Sequence, residues 1–433
     1  MTALATRART FWFLVGVATA IAFVIGLLSI AFGKSLVVPW GDAQYYHEGA
    51  NLLSEGHGWI LPRDFLENHL VTPSADHPPL FILYLASFSM AGFKSVVAHQ
   101  LATMFLGVLA VPVVGVVGRR LGGKHVGVIA AFICAVHPGV WGWGKMLLSE
   151  SSAILAVSSL LAVALWVRDA VSAGTAKRLH YIALGLVIGI GALARAELLL
   201  LGAIVGVFAV AGGGFAKSFK ALVIPGLVAL LVITPWVGYN LSRFNEPVFL
   251  SDGAGITLAN SNCDATYSGL LVAYWYLTCV TDPTTEFVSD HPNADRSELT
   301  KHLTSVGRTY IKDHLSEFPR IMLQRVGRAF GFYRVSQQIT LDHFPEGRDR
   351  NVVRWAWISY YLLLPFAAAG AWSLRKQKSK MFIMLMPIAS SALAVALTFG
   401  STRYRASAEP TFIVLGALGL TAAYQWLVAR RAR

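Results

Sequence analysis

Asp42, in the stretch Trp40-Gly41-Asp42-Ala43-Gln44-Tyr45-Tyr46-His47-Glu48, is the first residue of this chain suited to chemistry, because it follows soon after the first long apolar run. A carboxylate where a helix leaves the bilayer can take a proton from an acceptor hydroxyl while the lipid part of a second substrate stays in the membrane. Ala43, Tyr46, Ala50 and Leu53 then recur at spacings of three and four, ending at Gly56 and Gly58, which predicts an amphipathic helix in the membrane plane. Asp42 has two readings: a general base, or a cap that accepts backbone N–H bonds and is weakened as a base by doing so. His47 is a second polar candidate, although a lone surface histidine is more often incidental.

Further candidates sit at the ends of other apolar runs. Asp76-His77-Pro78-Pro79-Leu80 closes the same loop, with Asp76 and His77 flanking the pocket mouth and the prolines marking a stop before the next helix. Glu150 lies in Leu147-Leu148-Ser149-Glu150-Ser151, either as a functional acid or as a first-turn acid favoured by the helix dipole. Arg195 and Glu197 fall in the middle of an apolar stretch, where ionisable residues are costly unless they face a cavity or a partner. Their spacing of two puts them on different helix faces, so an ordinary pair within one helix is disfavoured. Arg403 and Arg405, just before Pro410, offer cations for a phosphate or an anchor at the interface. No spacing demands a metal, and no metal or other cofactor is expected.

These groups must be positioned by a membrane framework. The 433 residues are 55% hydrophobic and 14% charged, with a mean hydropathy of +0.57, far from the roughly 25% charge of a soluble domain. The class is an all-α polytopic membrane protein. Phe11 to Phe32 is too long for the apolar core of a signal peptide, and many spans follow, so it reads as a retained anchor. Spans are expected near 11–32, 97–118, 125–143, 147–167, 180–194, 196–211, 219–240, 355–374, 381–399 and 410–429, about ten in all. Pro79 to Phe93 reaches only about 22 Å as a helix and reads as an outer-leaflet or re-entrant segment. Tyr181 to Ala211 must form a hairpin with Arg195 and Glu197 at its turn, because both flanks are basic.

The net charge of +13 does not indicate a nucleic-acid partner. Arg7, Arg9, Arg119, Arg120, Lys124, Arg168, Lys177, Arg178, Lys217, Lys220, Arg375, Lys376, Lys378, Lys380, Arg430, Arg431 and Arg433 lie beside or between apolar runs, with Asp169 as the single acid among them. That is the positive-inside pattern. It puts both termini in the cytoplasm and the candidate residues on the outer face, fitting a multi-pass protein of a bacterial plasma (inner) membrane.

Three units follow: an N-terminal membrane module over 1–240 with its first outward loop at 34–78, an outward loop domain over 241–353, and C-terminal membrane helices over 354–433. The loop domain reads as mixed, strand- or turn-like from Val248 to Leu258 and an amphipathic helix from Ser297 to His314. From Arg320 to Arg334, Arg325, Arg328 and Arg334 interleave with Ile321, Val326, Phe330 and Phe332, which suits a helix lying on lipid headgroups. Cys263 and Cys279 share this outward loop, where a disulfide between them is plausible; two free thiols are the alternative.

Taken in order, the Asp after the first span, the aromatic amphipathic helix, the His77-Pro78-Pro79-Leu80 closure, the Leu148-Ser149-Glu150 turn, the Leu193-Ala194-Arg195-Ala196-Glu197 turn and the late Arg403-Tyr404-Arg405…Glu409-Pro410 turn resemble the GT-C membrane glycosyltransferases. The resemblance is to the group of protein O-mannosyltransferases and aminoarabinose transferases of lipid A (glycosyltransferase family 39-like). It covers most of residues 11–211 and the 401–410 turn. It implies a polyprenyl-phosphate-linked sugar as donor, a hydroxyl acceptor in the cell envelope, transfer of a single sugar on the outer face with inversion, Asp42 as the catalytic carboxylate and Arg195 at the carrier phosphate. Tyr45 and Tyr46 would then help wall the sugar. Asp42 follows Gly41, so the paired acids of many members are absent, as is an obvious sequon-recognising domain. The alternatives are a lipid-linked sugar flippase or secondary transporter, with Arg195 and Glu197 along its path, and a non-catalytic envelope subunit.

Overall fold

The structure is a computed structural model and describes residues 2–34, 41–211 and 215–431. Residues 35–40 of the first outward loop, the side chains of Arg7 and Lys217, and Arg433 lie outside the described residues. Among the described residues, seven helices are long and apolar enough to cross a membrane: Arg9–Phe32, Val96–Val136, Glu150–Ser172, Ser218–Leu241, Arg350–Ser373, Lys378–Leu397 and Thr402–Arg431. Three shorter apolar helices accompany them, Leu80–Met90, Arg178–Ala194 and Glu197–Val210. The chain is a helical, multi-pass membrane protein.

The 41-residue stretch Val96–Val136 is two helices, because Gly123 takes φ 83 and ψ −173 in its middle. That left-handed backbone favours glycine. The two arms fold back on each other: a Cβ on Gly118 would stand 3.0 Å from the Cα of Gly127. A second reversal occurs at Arg195, whose extended backbone (φ −153, ψ 131) separates Arg178–Ala194 from Glu197–Val210. Gly202 and Gly206 face Ile188 across this hairpin. Small residues therefore let paired apolar helices approach where lipid supplies no hydrophobic drive between them. The helices Arg350–Ser373 and Glu409–Arg431 also pack tightly, where Gly370 lies against the Leu415 carbonyl and Gly419 against that of Phe366.

Above the bundle, Asp42–Ser54 is a helix that buries Ala43, Tyr45, Tyr46, His47, Gly49, Ala50 and Leu52. It rests on the short Leu80–Met90 helix, with Tyr46 edge-on to Phe81 at 4.9 Å. His47 is not an incidental surface group: it is buried, and its Nδ1 lies 2.8 Å from Nδ1 of His99.

Loop 241–353 forms helices at Ala254–Asn260, Asp264–Tyr267, Thr278–Asp290, Arg296–Asp313, Phe318–Phe330 and Val335–His343. The Arg296–Asp313 helix starts on a capping box, in which Asp295 accepts from the Ser297 and Glu298 amides and Glu298 accepts from the Asp295 amide. Residues 248–253 are turn and bend, and no strand occurs among the described residues; Ile60 and Pro73 make an isolated bridge. Cys263 and Cys279 are joined as a disulfide, Cα to Cα 6.1 Å.

The expectation that Arg325 and Arg328 lie on headgroups is corrected by their burial. Both are fully enclosed. Arg325 donates to the Ala396 carbonyl at 3.1 Å and to Asn262 Oδ1 at 3.0 Å, and Arg328 donates to the Val272 carbonyl at 2.7 Å. Arg325 thereby pins the loop to the Lys378–Leu397 helix from inside, while Arg328 ties the loop to itself. Arg334 alone of the three is exposed, donating to the Leu270 carbonyl.

Loops 34–78 and 241–353 are also tied together. Arg296 bridges Asp76 Oδ1 at 2.7 Å and Asp252 Oδ1 at 3.3 Å, while Asp252 accepts from the Ala75 amide at 3.0 Å. Arg243 donates to the carbonyls of Trp59 and Ser74, both at 2.7 Å.

Replacing Gly419 by leucine should force the last helix away from Phe366, an overpacking cost of about 1–3 kcal/mol. The expected result is a lower midpoint in thermal unfolding of the detergent-solubilised protein, and an unchanged midpoint would contradict this packing.

Candidate active site

Asp42 is the first residue of its helix and does not cap it. Gly41 occupies the cap position at φ 72, and no side chain closes the end. The carboxylate is turned to other partners: Oδ2 accepts from Arg403 Nη2 at 2.7 Å, and Oδ1 stands 3.3 Å from His77 Nε2. The second contact is an ion-pair approach, since His77 Nε2 meets no acceptor in hydrogen-bond alignment. Asp42 keeps 31% of its side chain exposed, so an incoming hydroxyl can reach it. Burial pushes its carboxyl upward, but Arg403 and His77 together overcome this and hold it well below the usual carboxylate range. For His77 burial disfavours the imidazolium, yet Asp42 outweighs it and keeps the ring above its ordinary value. The local positive charge is therefore concentrated on Asp42.

Arg403 serves three carboxylates at once, one per guanidinium nitrogen. Nε donates to Glu150 Oε1 at 2.7 Å, Nη1 to Glu346 Oε2 at 3.3 Å, and Nη2 to Asp42 Oδ2 at 2.7 Å. The planar fork of arginine suits this arrangement in a way a lysine ammonium does not. Glu150 is fully buried and takes a second contact from Arg195 Nη1 at 3.2 Å. Arg195 also pairs with Glu197 at 2.5 Å, made possible because the helix is broken between them. Its guanidinium lies 5.5 Å from the ring centroid of Tyr404. Asp42, His77, Glu150, Arg195, Glu197 and Arg403 thus meet in one chain of charges.

The remaining candidates fall elsewhere. Tyr45 and Tyr46 are buried and present no open face to a sugar. Tyr46 instead stacks on His77 at 4.9 Å, and the Tyr45 hydroxyl accepts from the Asp76 amide at 3.1 Å, so the pair aims the Asp76-His77 corner. Asp76 faces away from Asp42 in its bonding, toward Arg296. Arg405 is two residues from Arg403 yet points into the protein. It is buried, donates to Glu409 Oε1 at 3.0 Å and to the Ala329 carbonyl at 3.1 Å, and stacks over Trp357 and Tyr360. It is a packing cation and is not placed to meet a phosphate.

Glu346 is the member of the cluster that sequence reasoning missed. It lies among several acids of a long loop, and no motif or apolar run marks it. Burial lifts its carboxyl to about 7 against the pull of Arg403. Among the described residues, no group of three His, Cys, Asp or Glu side chains has the geometry to hold a metal ion. The guanidinium of Arg403 stands where Asp42, Glu150 and Glu346 converge.

No family model and no curated protein sequence matches the chain. Solved structures do. The archaeal oligosaccharyltransferase AglB from Archaeoglobus fulgidus, in complex with an inhibitory peptide and a dolichol-phosphate, overlays with a TM-score of 0.58 at 14% identity, covering 98% of this chain and 52% of that one. The enzyme tethered to an acceptor peptide containing the NVT sequon gives 0.57 at 15% identity, over 98% and 50% of the two chains. ArnT from Cupriavidus metallidurans bound to undecaprenyl phosphate aligns at 15% identity over 94% of this chain and 77% of that one, with a TM-score of 0.46. The chain spans about half the length of the oligosaccharyltransferase it overlays. Its fold is that of the membrane part of this oligosaccharyltransferase.

Arg403→Gln leaves Glu150 and its neighbours without their shared cation. Removing one partner of a buried pair costs about 3–5 kcal/mol, so this variant should lose folded protein on heating in detergent well before the wild type. An equal melting midpoint would show that the hub contributes nothing to stability.

Proposed function

We propose that this GT-C-fold chain transfers a single sugar from a polyprenyl-phosphate donor to a hydroxyl acceptor of the cell envelope, inverting the anomeric centre. The observation that carries the reading is Asp42: an ionised, partly exposed carboxylate at the outer end of the bundle, clamped between Arg403 and His77. The membrane fold it shares with an oligosaccharyltransferase seen in complex with a dolichol-phosphate supports a lipid-phosphate donor. The basic segments on the opposite side of the bundle support an outward-facing site with both termini in the cytoplasm.

In this mechanism Asp42 orients the acceptor hydroxyl and accepts its proton as the new bond to the sugar forms. A carboxylate held this acidic is a poor base toward an unreacted alcohol. It becomes adequate late, when the hydroxyl oxygen is already bonding to the anomeric carbon and its proton has grown acidic. The sugar–phosphate bond breaks with its electron pair leaving on the phosphate, which needs cations more than a general acid. Arg195 is the proposed partner for that phosphate. Its pair with Glu197, which retains 29% side-chain exposure, is the one most open to displacement by an incoming anion. His77, stacked on Tyr46, fixes the other oxygen of Asp42.

Membranes containing the wild type should transfer label from a radiolabelled polyprenyl-phosphate sugar to endogenous acceptor. Asp42→Asn should slow this about 10²–10⁴-fold, the usual worth of a general base, with donor binding retained. Transfer at the wild-type rate by a folded Asp42→Asn protein would refute the assignment.

A further inference from the structure

The polar cluster holds more acid than its cations can neutralise. Asp42, Glu150, Glu197 and Glu346 face Arg403 and Arg195, with His77 at the edge. Even with His77 charged, one negative charge is left over, and the cluster's cations are fully engaged. Glu346 is the natural place for a compensating proton. It is nearly enclosed at 7% side-chain exposure, and its 3.3 Å bond is the longest of the three that Arg403 makes. Among the described residues, its other oxygen receives only the Tyr274 hydroxyl, at 3.4 Å. The charges around it are Arg403, Asp42, Glu150 and Asp342. Arg348 also faces it but is engaged with Asp342, 3.6 Å away.

We propose that Glu346 is a positioning residue that stores the surplus proton of the cluster and, through their shared Arg403, sets how basic Asp42 is. The proposal rests on the reading of Asp42 as the base. Glu346 exchanges no atom with the substrate. The acceptor O–H bond breaks onto Asp42, the sugar–phosphate electron pair leaves on the phosphate, and the proton on Asp42 returns to solvent over its exposed edge. When Glu346 carries its proton, Arg403 is shared by Asp42 and Glu150 alone and Asp42 is at its least basic. Once Glu346 ionises, it takes part of the guanidinium and repels Asp42, so Asp42 becomes the better base. The two sites titrate as a coupled pair. Burial raises Glu346 to about 7, so it is protonated below neutrality and ionised above it, and transfer should rise as pH passes through that range.

The test uses the full chain in lipid nanodiscs with two readouts. Infrared difference spectra between pH 5 and 9 should show the carbonyl stretch of a protonated carboxyl disappearing near neutrality in the wild type and missing from Glu346→Gln. The transfer rate of the wild type should climb by up to about tenfold per pH unit below that midpoint and level off above it, whereas Glu346→Gln should lack this limb. Tyr274→Phe removes the donor to the ionised form and should move the limb to higher pH, giving a check in case Glu346→Gln does not fold. The same limb and the same infrared band in Glu346→Gln would overturn the proposal. A band that depends on Glu346 in a wild type inactive with every lipid-phosphate donor would overturn the base assignment, and with it the coupling to Asp42, while leaving the stored proton on Glu346.

Discussion

One guanidinium organises the polar end of this helix bundle. Arg403 binds Asp42, Glu150 and Glu346, which lie 361, 253 and 57 residues from it along the chain. Through those bonds the Asp42–Ser54 helix, the start of the Glu150–Ser172 helix, the large loop and the last membrane helix are fixed to a single point. Charges withdrawn from water are tolerated only when each is paired, and a three-way hub makes every partner depend on the others. The site is therefore as much a structural joint as a place for chemistry.

That dual role restrains the chemistry. A cation that stabilises a buried carboxylate also makes it a weaker base, and Asp42 is held far on the acidic side. As the proposed base, it would act through placement and the timing of proton transfer, not through intrinsic basicity. The pairing of Arg195 with Glu150 and Glu197 has the parallel effect of occupying the cation proposed for the phosphate until an anion arrives. Buried arginines elsewhere do different work. Arg325 and Arg405 bind carbonyls across the boundary and lock loop to bundle, while Arg328 holds the loop together from within.

The sequence exposed the framework well because lipid leaves so few options: spanning segments must be apolar and helical. The break at Arg195 was legible because charge on both flanks required the chain to turn back. Asp42, Glu150, Arg195 and Arg403 were legible too, since an ionisable group at the end of an apolar run stands out from its neighbours. Arg405 stands out in the same way, and there the pattern misled. Two arginines separated by one tyrosine look alike in sequence, but the short Thr402–Arg405 helix sends one toward Asp42 and the other toward Glu409. The basic and aromatic alternation around Arg325 misled for a related reason, because its carbonyl partners come from segments more than sixty residues away.

By itself the sequence determined the membrane class, the reversals of the chain and most of the ionisable residues that gather at one end of the bundle, because hydropathy and charge are local properties that survive without a fold. Tertiary structure alone decided that three acids share Arg403, that Tyr45 and Tyr46 support His77 from within, and that Glu346 belongs to the site. Each depends on which distant groups share an enclosed space of low dielectric, where pairing and protonation are set by neighbours in three dimensions.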